Sequence, residues 1–261
     1  MQRVVQKSVL VARRCFHRAF GDRLPVTYST EEFLARRVGL GARTITSDAE
    51  ARSEVTRRLF DLVPVLEQPL ETLAQYVKEG SSIELADETP CDRPPLPSPM
   101  SRHDRYVLFV VVRSLHPRKA VETGVANGCS SAMILAAMEH NGTGELIGLD
   151  NLLAERDRLG QRIPTQLRAR FTFRLADSIA ELRNMIQAGQ TIDLFLHDSL
   201  HTYRHARTEY ELAWKLLAPG GALCSHDILY NNAFDRFVAA HGSEISGFAK
   251  LVNFGITRKK C

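Results

Sequence analysis

The sequence predicts an α/β fold, a mostly parallel sheet with helices on both faces, preceded by an all-helical N-terminal region. Three observations carry it. After residue 99, short apolar runs alternate with amphipathic segments, the pattern of parallel strands joined by crossover helices. Over residues 47–78 the apolar positions Val55, Leu59, Leu62 and Val63, then Leu66, Leu70, Leu73 and Tyr76, follow the three- and four-residue spacing of a helix. Between the two blocks the stretch CDRPPLPSP, residues 91–99, is too rich in proline to continue a helix and reads as a connector. The expected division is therefore an N-terminal helical region over residues 1–93 and a second domain over residues 94–261.

Taken in order, the first twenty residues place the apolar pairs Val4/Val5, Leu10/Val11, Cys15/Phe16 and Ala19/Phe20 at roughly helical spacing, with basic residues between them and no acid. Such a helix can cap or dimerise the protein, which favours a homo-oligomer. It can also resemble an organelle presequence or lie on an anionic membrane. Helix over residues 47–78 is expected to break at Pro64 and Pro69. The alternating series then runs strand 119–123, helix 130–140, strand 145–149, helix 155–168, strand 171–175, helix 178–188, strand 192–196, helix 202–217, strand 222–225 and helix 232–241. Residues 247–259 carry the turn-like pair Phe254-Gly255 between apolar segments, which predicts a terminal hairpin and an antiparallel edge strand.

Composition narrows the function classes. The chain has 261 residues, 44% of them hydrophobic and 25% charged, as in an ordinary soluble globular protein. The longest apolar run, residues 106–112, falls short of the roughly 18 residues that a membrane span needs. Five cysteines, Cys15, Cys91, Cys129, Cys224 and Cys261, are scattered without paired spacing, so a disulfide framework or zinc ribbon is not expected and a cytoplasmic setting is. The formal charge of +4 sits largely at the two ends, and no basic or aromatic module marks a nucleic-acid partner. Arg156, Arg158, Arg162, Arg168 and Arg170 read as a solvated face.

The stretch AVETGVANGCSSAMILAAM, residues 120–138, is the loop where the first strand turns into a helix. In an open parallel sheet, ligands lie beyond such strand ends. Gly124 and Gly128 suit positive φ and close approach by a ligand, and Ser130 or Ser131 can cap the following helix. The spacing Glu122-x-Gly124-x-x-x-Gly128-x-Ser130 is neither a dinucleotide fingerprint nor a phosphate loop, because a third glycine at the right place and a lysine are both missing. An acid at the first strand end suits a ligand with a cationic amino-acid portion, and S-adenosyl-L-methionine is such a ligand. Asp150, in LIGLD, is placed to accept ribose hydroxyls, and Asp177, in LADS, to meet an adenine edge.

With these residues in view, the chain resembles the class I S-adenosylmethionine-dependent methyltransferases. Within them it is similar to the small-molecule O-methyltransferases related to the catechol, caffeoyl-CoA and macrolide-sugar enzymes. The resemblance rests on PMSRHDRYVLFVVVRSLHPRKAVETGVANGCSS and on IDLFLHDSLHTYRHARTEYELAWKLLAPGGALCSHDI. It implies a Rossmann-like sheet of seven strands with the last antiparallel. It also places Met100, Glu122, Gly124, Ala126, Gly128, Ser130, Asp150, Asp177, Ser178 and Asp198 around the cofactor, and a small-molecule hydroxyl, of a sugar or polyketide-like metabolite, as acceptor.

Methyl transfer to oxygen needs an aligned acceptor and a group that ionises its hydroxyl. The candidates lie in HDSLHTYRH, residues 197–205, and SHD, residues 225–227. His201 stands where the resemblance puts a catalytic base, and an imidazole with pKa near 6.5 can take a hydroxyl proton at neutral pH. The alternative is a residue that merely caps the helix from Thr202. Asp198 and Asp227 are hard oxygen ligands suited to Mg²⁺, and the resemblance assigns metal ligation to the same positions. Where the catechol branch has asparagine the chain has Ile228, and where the sugar branch has an acid it has His226. The readings left open are Mg²⁺ on fewer protein ligands, a softer metal recruiting His226 and His201, or none. His205 reads as a surface histidine, Trp214 as core, and Tyr230, Asn231 and Asn232 as acceptor contacts or exposed loop. Two other functions fit the pattern: a metal-dependent hydroxylase or oxygenase on the same fold, and a non-catalytic cofactor-binding scaffold.

Overall fold

The computed structural model describes residues 47–86, 100–251 and 253–261. The basic N-terminal helix and the proline-dense connector lie outside them.

Helix α1 (Asp48–Leu66) starts on a capping box in which Ser47 and Glu50 bond each other's backbone amides. The break expected at Pro64 is absent. Pro64 sits in the last turn, and the helix ends instead where Glu67 turns left-handed at φ 53. Pro69 then opens α2 (Leu70–Ser81), and Ser101 caps α3 (Arg102–Leu115), a helix that the sequence pattern did not assign. Residues 106–112 of α3 are buried on every side, so the segment carries no amphipathic period to read.

The remaining elements are β1 (Lys119–Thr123), α4 (Cys129–Asn141), β2 (Glu145–Asp150), β3 (Phe171–Leu175), α5 (Ser178–Gln187), β4 (Ile192–His197), α6 (Tyr203–Leu216), β5 (Leu217–His226), α7 (Ala233–Ala240), β6 (Ile245–Leu251) and β7 (Phe254–Lys259). They form a seven-stranded sheet of order β3-β2-β1-β4-β5-β7-β6. Strands β1 to β5 pair in parallel, and β7 runs antiparallel to both β5 and β6. Two expectations are corrected here. Phe254 and Gly255 lie inside β7, paired to His226 and Ser225, so the turn precedes them. The last strand is interior, and β6 is the edge. A local apolar pattern marks a hairpin but not which of its arms inserts into the sheet.

The helix expected over residues 155–168 is also absent. Two short 3₁₀ turns, Leu153–Glu155 and Thr165–Arg170, flank an irregular stretch. Gly160 there is left-handed at φ 70 and Pro164 has no amide hydrogen, and each stops a helix. Arg158, expected on a solvated face, is buried and bonds Glu155.

Alternate strand residues feed opposite cores, as the pleat requires. Ala120, Leu194 and Leu196 face α1 to α4, whereas Val121 and Phe195 face α5, α6 and α7. Trp214 belongs to the second core, as expected. Residues of α1 and α2 share the first core with α3 and α4, and the described residues pack as one unit. The helices α1 and α2 cover the same sheet face as α3. Among the described residues no helix is long and apolar enough to cross a membrane.

Candidate active site

The parallel strands all end on one edge, and the turn after β1 sits at the centre of that edge. Gly124 has φ 84, and a Cβ on it would lie 2.1 Å from the Asp198 carbonyl oxygen, so only glycine lets the loops after β1 and β4 meet. On the other side the irregular stretch closes over the turn. The amides of Gly160 and Arg162 donate to the carbonyls of Ala126 and Asn127 at 2.9 and 2.8 Å. Asp150 holds the turn from β2, accepting from the amides of Ala126 (2.9 Å) and Leu152 (3.0 Å). Several of the turn's polar groups are therefore spent internally, which explains why it lacks the spacing of a phosphate cradle.

Glu122 departs from expectation. It has no exposed surface, and Ser130 and Ser131 donate their hydroxyls to its two oxygens. Burial pushes its carboxyl up to about 8, against the pull of the two serines. An acid in this state is largely neutral at pH 7 and does not present a charge to a ligand's ammonium. The helix cap foreseen for Ser130 or Ser131 is also displaced, because Gly128 is the N-cap of α4 at φ 88. Asp177 caps α5 through the Ala180 amide at 2.8 Å and remains exposed at the crevice edge. Ser178 instead turns its hydroxyl onto Glu209. Met100 is buried in the first core, just before α3.

Beyond β4 and β5 the structure brings together Asp198, His201, His226 and Asp227. One ligating atom from each lies within 4.8 Å of the others. His201 Nε2 is 3.3 Å from Asp227 Oδ2 and 3.7 Å from Asp198 Oδ1. Its ring stacks on Tyr230, with centroids 5.8 Å apart, so Tyr230 is part of this site. Burial lowers His201 to about 4, so its ring is neutral at physiological pH and can accept a proton. His226 lies between carboxylates, with Nδ1 2.8 Å from Asp198 and Nε2 3.4 Å from Asp104. Burial alone would lower His226, but Asp198, Asp227 and Asp104 hold it well above the ordinary imidazole range. Asp104, bonded by Ser101 at 2.7 Å and His103 at 3.0 Å, was not foreseen as a site residue. Its only local sign is the N-terminal Ser-x-x-Asp pattern of α3, which reads as an ordinary helix cap.

Two carboxylates and neighbouring imidazoles within this span fit a divalent cation. His226, foreseen as a metal ligand, belongs to this cluster, and both of its ring nitrogens face carboxylates. Asp227 is oriented by Asn253, which donates from the loop between β6 and β7. The surface role foreseen for His205 is corrected, since its ring is mostly covered and bonds the buried Glu209 at 2.8 Å.

The sheet order defines the class of fold, a Rossmann-like, mostly parallel seven-stranded sheet shared with solved O-methyltransferases. Residues 121–228, from β1 to just past Asp227, match the family model described as a methyltransferase domain. The fold is similar to that of an O-methyltransferase from Bacillus cereus in complex with SAH, at 15% identity and TM-score 0.55, over 80% of this chain and 100% of that one. It is also similar to the O-methyltransferase TomG from Streptomyces achromogenes, involved in tomaymycin synthesis and solved with SAM. There the identity is 14% and the TM-score 0.54, over 78% of this chain and 95% of the other. No curated protein matches the sequence.

Proposed function

We propose that the chain transfers the methyl group of S-adenosylmethionine to a hydroxyl oxygen of a small molecule, with His201 taking the hydroxyl proton. The observation that carries this reading is a neutral imidazole placed between two carboxylates, beside the glycine turn of a methyltransferase domain. The Bacillus cereus and TomG structures, solved with SAH and SAM, support the choice of donor.

In this reading the donor lies along the ends of β1 to β3. Asp150 meets its ribose and Asp177 and Ser178 border its base, while Gly124 allows the reacting end to reach the loop after β4. The cofactor supplies the electrophilic methyl group. His201 Nε2 accepts the acceptor's proton, and the imidazolium that forms is stabilised by Asp227 and Asp198. Tyr230 covers one face of the ring and limits water around it. Asp198 and Asp227 would hold a divalent cation, which would lower the pKa of the acceptor hydroxyl.

Calorimetric titration with S-adenosylhomocysteine tests the donor. Binding to the native chain is expected, and Asp150→Ala should weaken it at least about tenfold, near 1.4 kcal/mol. Absence of binding to the native protein would overturn the reading. His201→Gln should keep that affinity and lower turnover by about 10²- to 10⁴-fold on any accepted hydroxyl. Consumption of dioxygen with ferrous iron, without a methylated product, would replace methyl transfer by oxygenation.

A further inference from the structure

The second buried cluster lies one layer beneath the site, around Glu209 of α6. Glu209 has no exposed surface, yet its carboxylate accepts five hydrogen bonds. Oε2 takes Thr123 Oγ1 at 2.7 Å and His197 Nδ1 at 2.6 Å. Oε1 takes Ser199 at 3.0 Å, His205 Nε2 at 2.8 Å, and the hydroxyl of Ser178. A carboxylate that accepts from every side is ionised, and an ion buried this deeply costs several kcal/mol unless so paired. The second core could fill the same volume with an apolar side chain at no such cost.

Four of the five donors lie at strand ends, and the fifth, His205, is on α6 itself. Thr123 ends β1 just before Gly124, and Ser178 follows Asp177 at the start of α5. His197 and Ser199 stand on either side of Asp198. His197 also packs edge-on against the His201 ring, with centroids 5.5 Å apart. One buried anion therefore reaches three strand ends, and every one of them carries a residue of the site.

We propose that Glu209 is a positioning residue for methyl transfer: it fixes the backbone around Asp198 through His197 and Ser199, and orients the His201 ring through His197. The proposal rests on the methyl-transfer reading above. It concerns alignment of the acceptor end, so it predicts a loss in kcat with little change in donor affinity. Because Glu209 accepts from His197 Nδ1, it also predicts that His197 carries its proton on Nδ1, a property independent of turnover.

Glu209→Gln keeps the shape but turns an amide against one side of the donor set. The expected result is a kcat lower by about 10²-fold, the scale of a displacement near 1 Å. S-adenosylhomocysteine affinity should change far less than kcat by calorimetry. Nitrogen-15 spectra of the histidine rings should show His197 protonated at Nδ1 in the native protein. If Glu209→Gln does not fold, Ser199→Ala removes one of the two donors that flank Asp198, and a kcat loss of at least about tenfold at constant donor affinity supports the proposal. A smaller loss in the folded variant, or a His197 proton on Nε2 in the native protein, overturns it. Native protein that neither binds S-adenosylhomocysteine nor transfers methyl groups would instead sink the underlying reading, while the tautomer measurement would still report on Glu209.

Discussion

Glu122 ends β1 with its carboxyl wrapped by Ser130 and Ser131, and burial holds that carboxyl near 8 where an ordinary one lies at 4.5. Between those two values the folded protein keeps a proton that the unfolded chain releases. The stability contributed is therefore full below pH 4.5 and is lost as the pH rises toward 8. Glutamine at this position cannot titrate, and serine hydroxyls can accept from its amide as well as donate to its carbonyl. Glu122→Gln should remove a slope of up to about 1.4 kcal/mol per pH unit across the window, read as urea midpoints at several pH values. An unchanged pH dependence would show that Glu122 is ionised in the folded protein. His226 is raised too, but by the acids around it, which favour the charged ring against its burial. Neither state could be read from residue type, because each depends on which groups the fold brings within reach.

At the scale of elements, the turn after β1 is held by contacts that local sequence does not announce. Gly124→Ala should destabilise strongly, because the left-handed backbone costs about 1–3 kcal/mol and the added Cβ collides with the Asp198 carbonyl. Gly142 gives the comparison. It ends α4 at φ 69 with nothing within 4 Å of an added Cβ, so Gly142→Ala should cost only the backbone penalty of about 1–2 kcal/mol. Equal urea midpoints for the two variants would refute the claim that loop contact, rather than φ, demands Gly124. The strands and most helices of this region were legible because their apolar periods are local. The cover over the turn was not, since Gly160 and Pro164 interrupt an otherwise helical-looking segment whose purpose is to bond Ala126 and Asn127.

For the whole molecule, anything that binds the folded chain alone raises its unfolding midpoint by mass action, about 2.7 kcal/mol at a hundredfold excess over Kd. S-adenosylhomocysteine should raise the midpoint of the native protein. Mg²⁺ or Mn²⁺ should do so as well, and the ion's effect should vanish in the Asp198→Ala/Asp227→Ala variant. A native midpoint indifferent to both ions would remove the cation from the proposed site.

Period, proline and glycine placement determined the α/β class, the strands β1 to β5 and the strand ends where a site belongs, since these follow from bonding between residues near in sequence. Asp198, His201 and Asp227, read as candidates at and after predicted strand ends, come together in the structure, and Asp150 holds the turn after β1. Tertiary structure alone decided that Asp104 reaches His226 from α3, that β7 inserts beside β5, and that Glu209 gathers donors from three strand ends. Charge state and hydrogen-bond partnership in a buried site depend on groups far apart along the chain, and only the closed fold brings them together.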